Sequence, residues 1–400
     1  MKVVWLCHFC NSEFKEYFHT PEIKEFSPWI NSLIKLFKDV NNNIEIHVVA
    51  PNVFNNTDHY LKNDNIYYHF YKYKTDLIPR KIYNYFSING FTNYFYIKNK
   101  IKKIINEIKP DLIHLHGAEN PYYSASILPL LNNYPTFLTI QGFIRNSSVK
   151  DFRIKHRIKI EEEIIKKIKY FGVRTKEMMN IILSLNPNAE FYWHNYPLNI
   201  PLFQKSNKSE YDIVFFARVC KDKGIEDLLL ALSIAKQEIP NISLHIIGSI
   251  SNSYKNKLNT MIQILNLEQN VIFMGFMPTQ EEVFKHAAKA KICVLPTYHD
   301  IIPGTIIESM YMKLPVIAYA VGGIPELNEK TETIRLVSKQ DINSLAKEIL
   351  YLLNNEIKKV KMANDAYGYA KEKFNNELIV PKLLEIYHEI IRLEKNKVTK

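Results

Sequence analysis

Cationic side chains follow one predicted strand in the second half of the chain. Arg218 directly follows the apolar run at residues 212–217, and Lys223 lies just before a predicted helix at residues 225–237. Two cations in one strand–helix loop can bind a diphosphate, Arg as a planar fork and Lys as a point charge. Taken alone, these two cations are explained at least as well by a solvated charged loop.

A second stretch, residues 296–327, follows an apolar run that stops at Pro296. Gly304 and Thr305 would place free backbone N–H groups at the start of a helix, where the helix dipole favours phosphate. Glu308 lies one turn further on and could hold a pair of ribose hydroxyls, as acidic residues do in nucleotide-binding folds. The alternative is a capping box, in which Thr305 and Glu308 only satisfy the helix N-terminus.

Two further polar residues lie at or after predicted strand ends. Asp300 could accept hydrogen bonds from sugar hydroxyls, and the alternative is an ordinary loop aspartate. In the first half, the short strand predicted at residues 111–115 ends at His116 and Gly117. His116 is favoured over His114 as a ligand contact because His114 occupies a core position of the strand. On the residues alone, the functional and structural interpretations of His116 are balanced.

Length and charge limit the class of protein. Four hundred residues exceed one ordinary core, so two domains are expected. A net charge of +11 predicts an anionic partner, although a lysine-rich proteome explains the same excess. None of the standard nucleic-acid-binding modules is present, so nucleic acid is not predicted as a partner.

The first residues and the cysteines predict a cytoplasmic location. The N-terminus lacks the long apolar stretch and cleavage site of a signal peptide, and no apolar run approaches the ~18 residues of a membrane span. Cys7 and Cys10 form a lone C-x-x-C with no second pair, which does not predict a zinc site. Two thiols in a reducing compartment are the simpler interpretation.

Strands alternate with helices along most of the chain, and each strand stops at a polar or glycine-containing loop. This pattern is typical of a parallel, doubly wound α/β sheet. It restarts after a proline-containing linker near residues 195–210. We therefore predict two Rossmann-like domains that face each other across a cleft, at residues 1–200 and 205–380. The last helix, about residues 380–400, is expected to pack back on the first domain.

Together, three motifs resemble the retaining family-4 glycosyltransferases of GT-B fold. They are Arg218-x4-Lys223-Gly, an acidic residue and a glutamate separated by seven residues (Asp300 and Glu308), and Val-Gly-Gly-Ile-Pro-Glu at residues 321–326. They occur in the family's order and spacing over most of residues 212–327. Each motif is weak alone, and their recurrence together is specific.

The resemblance implies the following roles. Arg218, Lys223, Asp300 and His116 would be catalytic residues that contact the diphosphate and the transferred sugar. Gly304 and Thr305 would add backbone contacts to the diphosphate, and Glu308 would hold the ribose. The donor would be a UDP- or GDP-linked sugar, hexosyl or N-acetylhexosaminyl, bound by the second domain without a metal or other cofactor. The acceptor, a glycan or a polyprenyl-linked acceptor, would bind the first domain, and the reaction would be a step in cell-surface polysaccharide synthesis.

Three features depart from the family's pattern. Asp300 stands where the family more commonly has Glu, which shortens the side chain by one methylene. Gln141 and Gly142 stand where the family frequently has His-Gly. The loop at residues 7–18 lacks the pair of glycines that many members use near the donor phosphates. These differences bear on sugar identity, acceptor geometry and the level of activity more than on reaction class.

Two rival functions share this architecture: a nucleotide-sugar epimerase, which needs no acceptor, and an inactive sugar-nucleotide-binding partner of an assembly complex. The aromatic and basic tract at residues 67–103, with residues 150–169, predicts a face for an anionic membrane. A solvated lysine-rich surface over aromatic core residues is an equal alternative. The protein would then be cytoplasmic and, on the first interpretation, peripheral on the inner membrane face.

Overall fold

The structure is a computed structural model that describes residues 1–23, 25–39, 44–74, 92–146, 151–201 and 209–398. The chain divides into two compact units. The first contains Met1–Pro197 together with Asn376–Lys400, and the second contains Leu198–Asn375. No helix in the described ranges is long and apolar enough to cross a membrane.

The described part of the first unit is built on an eight-stranded sheet with strand order β3-β4-β2-β1-β5-β6-β7-β8. The strands are β1 (Lys2–Leu6), β2 (Glu45–Pro51), β3 (His59–Asn63), β4 (Ile66–Tyr71), β5 (Leu112–His116), β6 (Thr136–Thr139), β7 (Tyr170–Val173) and β8 (Glu190–Trp193). Its helices are α1 (Ser12–Tyr17), α2 (Pro28–Asp39), α3 (Phe95–Ile108), α4 (Pro121–Ser124), α5 (Phe152–Lys167), α6 (Lys176–Leu185) and α13 (Ile379–Val398).

The second unit has a six-stranded parallel sheet with strand order β11-β10-β9-β12-β13-β14. The strands are β9 (Tyr211–Phe216), β10 (Leu244–Ile247), β11 (Val271–Gly275), β12 (Ala290–Leu295), β13 (Val316–Tyr319) and β14 (Arg335–Val337). The helices are α7 (Ile225–Ala235), α8 (Asn252–Ile264), α9 (Gln280–Ala287), α10 (Gly304–Tyr311), α11 (Ile342–Asn354) and α12 (Glu356–Lys373). The prediction of an α/β protein with two parallel-sheet domains is confirmed.

The central strands are apolar because helices cover both faces of a parallel sheet. β5 is buried at every position and β12 at all but one. The first sheet has one edge that periodicity did not predict: β3 pairs antiparallel with β4, within a stretch of weak periodicity. In β3, half-buried and exposed residues alternate, as expected for an edge strand that is solvated on one face.

Three helices differ from the sequence prediction. The loop after β1 contains α1, whose first N–H groups are capped by the Asn11 side chain. α12 was not predicted, because its sequence is too polar to show a clear apolar stripe. The sequence at residues 121–131 predicts one continuous helix, whereas α4 ends at Ser124 and continues only as a short 3-10 turn.

The C-terminal helix α13 packs against the first sheet through buried polar contacts as well as apolar ones. The Tyr387 hydroxyl accepts a hydrogen bond from Trp5 Nε1 at 3.0 Å and lies 2.6 Å from Nδ1 of His114. All three side chains are fully buried. Tyr170 donates its hydroxyl to the Glu394 carboxylate at 2.5 Å. One phenol on α13 therefore satisfies the side chains of two neighbouring strands.

We expect Tyr387→Phe to lower the free energy of unfolding by about 1–3 kcal/mol, because it leaves buried nitrogens of Trp5 and His114 without their partner. Urea unfolding followed by tryptophan fluorescence measures this change. Tyr351→Phe is the control, because Tyr351 is 41% exposed and keeps its ring under Arg335. Equal effects of the two substitutions would contradict a structural role for the Tyr387 hydroxyl.

Candidate functional site

The loops after β9 and β12 meet at the carboxyl edge of the second sheet. The two strands are parallel neighbours, so their carboxyl ends lie side by side. The Thr305 hydroxyl donates to the Phe216 carbonyl at 3.0 Å, which ties the start of α10 to the end of β9. A Cβ on Gly224 would lie 1.8 Å from the Pro296 carbonyl oxygen, and the φ of Gly224 is +72°. Glycine therefore permits the two loops to pack backbone against backbone.

Two helices of the second unit begin without a side-chain cap, and both start at these adjacent strand ends. α7 begins after Gly224, and α10 begins after Pro303. The other four helices of the unit have side-chain caps, from Ser251, Thr279, Asp341 and Asn355. The first N–H groups of α7 and α10 therefore remain available to an external acceptor.

The capping-box interpretation of Thr305 and Glu308 is wrong. Thr305 is the second residue of α10 rather than its cap, and its hydroxyl is used by Phe216. A Glu308 carboxylate oxygen accepts a hydrogen bond from Gln280 Nε2 at 3.3 Å. Glu308 therefore bonds to the first residue of α9 and caps no N–H group at the start of its own helix.

The two predicted cations differ in their surroundings. Arg218 is exposed and forms no ion pair with any residue that the structure describes. The Lys223 ammonium forms an ion pair with the Asp300 carboxylate, and each side chain is 22% exposed. The structure therefore brings Lys223 and Asp300 together, as parts of two loops that are 77 residues apart in sequence.

Burial raises the pKa of Glu308 from 4.5 to about 8. The residue is half-buried, and no cation is near enough to offset the loss of hydration of its carboxyl group. Near neutral pH a large fraction of this carboxyl is protonated. A protonated carboxyl can both donate and accept a hydrogen bond, which suits a pair of hydroxyl groups.

In the first unit, His116 ends β5 and is 2% exposed. Its Nδ1 lies 2.8 Å from the Tyr196 hydroxyl, whereas Nε2 has no hydrogen-bond partner. Burial, with His194 nearby, holds the pKa of His116 well below its usual range, so the ring is neutral. His114 differs, because both of its nitrogens have partners, Tyr387 and Thr139 at 2.6 and 2.5 Å. Of the two histidines, only His116 keeps a nitrogen for a ligand.

Sequence reasoning missed a buried carboxylate beside the paired loops. Asp227, in the first turn of α7, is 7% exposed and accepts hydrogen bonds from two tyrosine hydroxyls, Tyr298 and Tyr319, each at 2.7 Å. An aspartate in the first turn of a helix is common, so its position alone carried no signal. The described residues contain no cluster of three or more His, Cys, Asp or Glu side chains arranged to hold a metal ion.

The raised pKa of Glu308 gives a pH-dependent stability. The folded protein holds a proton on this carboxyl between about pH 4.5 and pH 8, where the unfolded chain has released it. The stabilising effect is complete below pH 4.5 and is lost as pH rises through 8. We therefore expect the free energy of unfolding of Glu308→Gln, which cannot ionise, to increase relative to that of the unsubstituted protein as pH rises from 5 to 9. The expected increase is on the order of 1 kcal/mol or more.

Urea unfolding of both proteins at pH 5 and pH 9 measures the difference. Other titrating groups are common to both proteins and cancel in the comparison. A stability difference that does not change with pH would show that the carboxyl titrates normally in the folded protein.

Two family models match this chain: "Glycosyl transferases group 1" at residues 200–372 and "Glycosyl transferase 4-like" at residues 25–167. The chain is 26% identical over 185 residues to the poly(ribitol-phosphate) alpha-N-acetylglucosaminyltransferase of Staphylococcus aureus, covering 46% of this chain and 36% of that one. The matches span 36–58% of the lengths of three curated relatives.

Two solved structures resemble the chain over nearly its full length. Sucrose-phosphate synthase from Thermosynechococcus elongatus has a TM-score of 0.75 at 18% identity, covering 98% of this chain and 100% of that one. HepE of Anabaena, in complex with UDP, has a TM-score of 0.71 at 16% identity, covering 98% and 99%. At these identities the likeness shows the fold. The two family models match successive parts of the chain, and the structure has two domains built on parallel sheets. The chain therefore belongs to the group 1 glycosyltransferases of GT-B fold.

Proposed function

We propose that the protein transfers a sugar, with retention of anomeric configuration, from a nucleotide-diphosphate sugar to a glycan or lipid-linked acceptor in cell-surface polysaccharide synthesis. This proposal is supported above all by the arrangement of groups at the carboxyl edge of the second sheet. There, two uncapped helix starts lie beside an unpaired arginine and a lysine. Dipoles and cations aimed at one place favour a dianionic group such as a diphosphate.

The Lys223–Asp300 ion pair accounts for two ligand contacts at once. When a diphosphate binds, the Lys223 ammonium exchanges the Asp300 carboxylate for phosphate oxygens. Asp300 is then released to accept hydrogen bonds from hydroxyls of the sugar. Because an aspartate is one methylene shorter than the family's usual glutamate, the sugar must approach the β12 loop more closely here. Glu308, with a carboxyl that both donates and accepts near neutral pH, holds the ribose diol.

Stabilisation of the leaving diphosphate supplies the catalysis. Arg218, Lys223 and the N–H groups of Gly304 and Thr305 neutralise the charge that develops on the departing oxygen. His116, neutral and with Nε2 unpaired, donates to or accepts from a hydroxyl of the transferred sugar. The acceptor attacks on the face that the diphosphate leaves. Since the two side-chain cations supply the positive charge, the reaction is proposed to need no metal and to survive EDTA.

Uridine is the base to test first, because HepE of Anabaena binds UDP on the same fold. A polymeric acceptor is supported by the poly(ribitol-phosphate) relative, whose name describes transfer to such a polymer. GDP-linked donors and polyprenyl-linked acceptors are the alternatives within the same proposal. The two rival functions have distinct outcomes: a donor sugar that isomerises without an acceptor indicates an epimerase, and donor binding without any turnover indicates an inactive binding partner.

We also propose that the first unit meets an anionic membrane through the starts of α3 and α5, where the acceptor would be carried. Phe95, Tyr96 and Phe152 are 68%, 50% and 61% exposed. The two helices are neighbours, with the Tyr94 ring centroid 6.2 Å from that of His156. Exposed lysines accompany them, at Lys102, Lys103, Lys155 and Lys159. Parts of the predicted face, residues 75–91 and residue 150, lie outside the described residues.

Donor binding should depend on the two cations. We expect Arg218→Ala and Lys223→Ala each to weaken UDP binding by about tenfold or more, because each removes a charge-assisted hydrogen bond. Isothermal titration calorimetry or thermal shift with UDP and UDP-sugars measures this. The matched control is Lys221→Ala, an exposed lysine of the same turn, which should have a much smaller effect. Stabilisation by UDP that survives Lys223→Ala and Glu308→Ala would place the site elsewhere.

Membrane binding should depend on the exposed aromatics. We expect the double substitution Phe95→Ser and Phe152→Ser to reduce co-sedimentation with phosphatidylglycerol vesicles, because inserted rings and lysine attraction act together at an anionic interface. Phe276→Ser is the control, since Phe276 is 73% exposed in the second unit. If the unsubstituted protein does not sediment with anionic vesicles, the surface is an ordinary solvated one.

A further inference from the structure

We infer that Asp227 is a positioning residue for the proposed donor site. Its carboxylate holds the Tyr298 side chain, and with it the segment Pro296–Asp300, against the turn that carries Lys223. This inference rests on the proposed function for its ligand, but the contacts that carry it do not involve a ligand.

The segment after β12 has little regular structure to hold it in place before α10 begins at Gly304. Besides the packing of Pro296 against Gly224, its backbone is attached to the Lys223 turn at the Asp222 carbonyl oxygen. The Tyr298 N–H donates to the Asp222 carbonyl at 2.8 Å, and the Thr297 hydroxyl lies 3.2 Å from the same oxygen and 3.2 Å from the His299 carbonyl oxygen. The Tyr298 hydroxyl adds a further attachment, to Asp227 Oδ1 at 2.7 Å.

The second oxygen of Asp227 is fixed from another strand. Tyr319, which ends β13 and is fully buried, donates to Oδ2 at 2.7 Å. The rings of Tyr298 and Tyr319 are nearly parallel, with centroids 6.2 Å apart, and the Lys339 ammonium lies 5.3 Å from the centre of the Tyr298 ring. Burial raises the pKa of both tyrosines, so both hydroxyls remain protonated donors. The carboxylate therefore has one orientation, set by strand ends β12 and β13.

Burying a carboxylate in a core position costs more free energy than burying an apolar side chain there. Asp227 pairs with no cation among the residues that the structure describes, and an apolar side chain would avoid the loss of hydration. What the carboxylate adds is direction, because its hydrogen bond from Tyr319 fixes its orientation and its hydrogen bond from Tyr298 sets the distance between α7 and the β12 loop. Lys223 precedes α7 and Asp300 ends the held segment, so this distance determines whether ammonium and carboxylate meet.

The test measures Lys223 without a ligand. Each variant is treated with limiting acetic anhydride, and acetylation of Lys223 is quantified by mass spectrometry relative to Lys221 in the same turn. We expect Tyr298→Phe and Asp227→Asn to raise the relative reactivity of Lys223 by about three- to tenfold, towards the value of Asp300→Asn, because the ion pair is then made less often. The control is Tyr254→Phe, which removes a 2.8 Å bond to Glu226 on the same helix.

A second measurement separates positioning from stability. We expect Tyr298→Phe as a single substitution to weaken UDP binding several-fold. Added to Lys223→Met, it should have little further effect, because the Tyr298 hydroxyl influences binding through Lys223. Unchanged Lys223 reactivity in Tyr298→Phe, with only a loss of stability, would overturn the inference. If the unsubstituted protein binds neither UDP nor GDP, the donor proposal fails, and the Lys223 reactivity still decides the role of Asp227.

Discussion

The close contact between the Gly224 backbone and the Pro296 carbonyl is the constraint on which the second unit's carboxyl edge depends. It brings the turn after β9 against the segment after β12 with no side chain between them. The Asp222 carbonyl, the Asp227 carboxylate and the Lys223 ammonium then all reach the same short segment, Pro296–Asp300. A larger residue at 224 would separate the two loops and remove these contacts together.

This contact also allows several groups that each bind an anion weakly to act on the same ligand. Each uncapped helix start, and each cation, contributes modestly in water. Their effect grows when several act on one ligand in a partly buried place, because the screening by solvent is reduced. In the absence of a ligand, the Asp300 carboxylate is the negative partner of the Lys223 ammonium and keeps that side chain oriented.

In the described part of the first unit, some buried polar side chains hydrogen-bond one another, whereas others keep an atom without a hydrogen-bond partner. His114, Trp5 and Tyr387 satisfy one another and attach α13 to the sheet. His116, two residues along the same strand, keeps Nε2 unpaired although it is almost completely buried. An unpaired buried nitrogen is costly, which is why such atoms concentrate where a ligand completes them.

The sequence by itself determined the class of fold and the residues of the proposed donor site. Alternation of buried strands with helices is a local signal, and the spacing of Arg218, Lys223, Asp300 and Glu308 is a property of the chain. It could not reveal the antiparallel β3 edge, because pairing direction depends on a neighbouring strand. Nor could it decide between a capping box and a Glu308 that bonds to Gln280, since both need the same residues at the same spacing.

Only the tertiary structure showed that Lys223 meets Asp300, that Glu308 faces Gln280, and that Asp227 holds Tyr298 and Tyr319. Each of these contacts joins residues that are between 28 and 92 positions apart. Distance along the chain gives no signal for such pairs, because they exist only after parallel strands bring their carboxyl ends to one edge of the sheet. The chemistry of the site was readable from residue types, whereas its geometry was decided by strand order and by one close backbone contact.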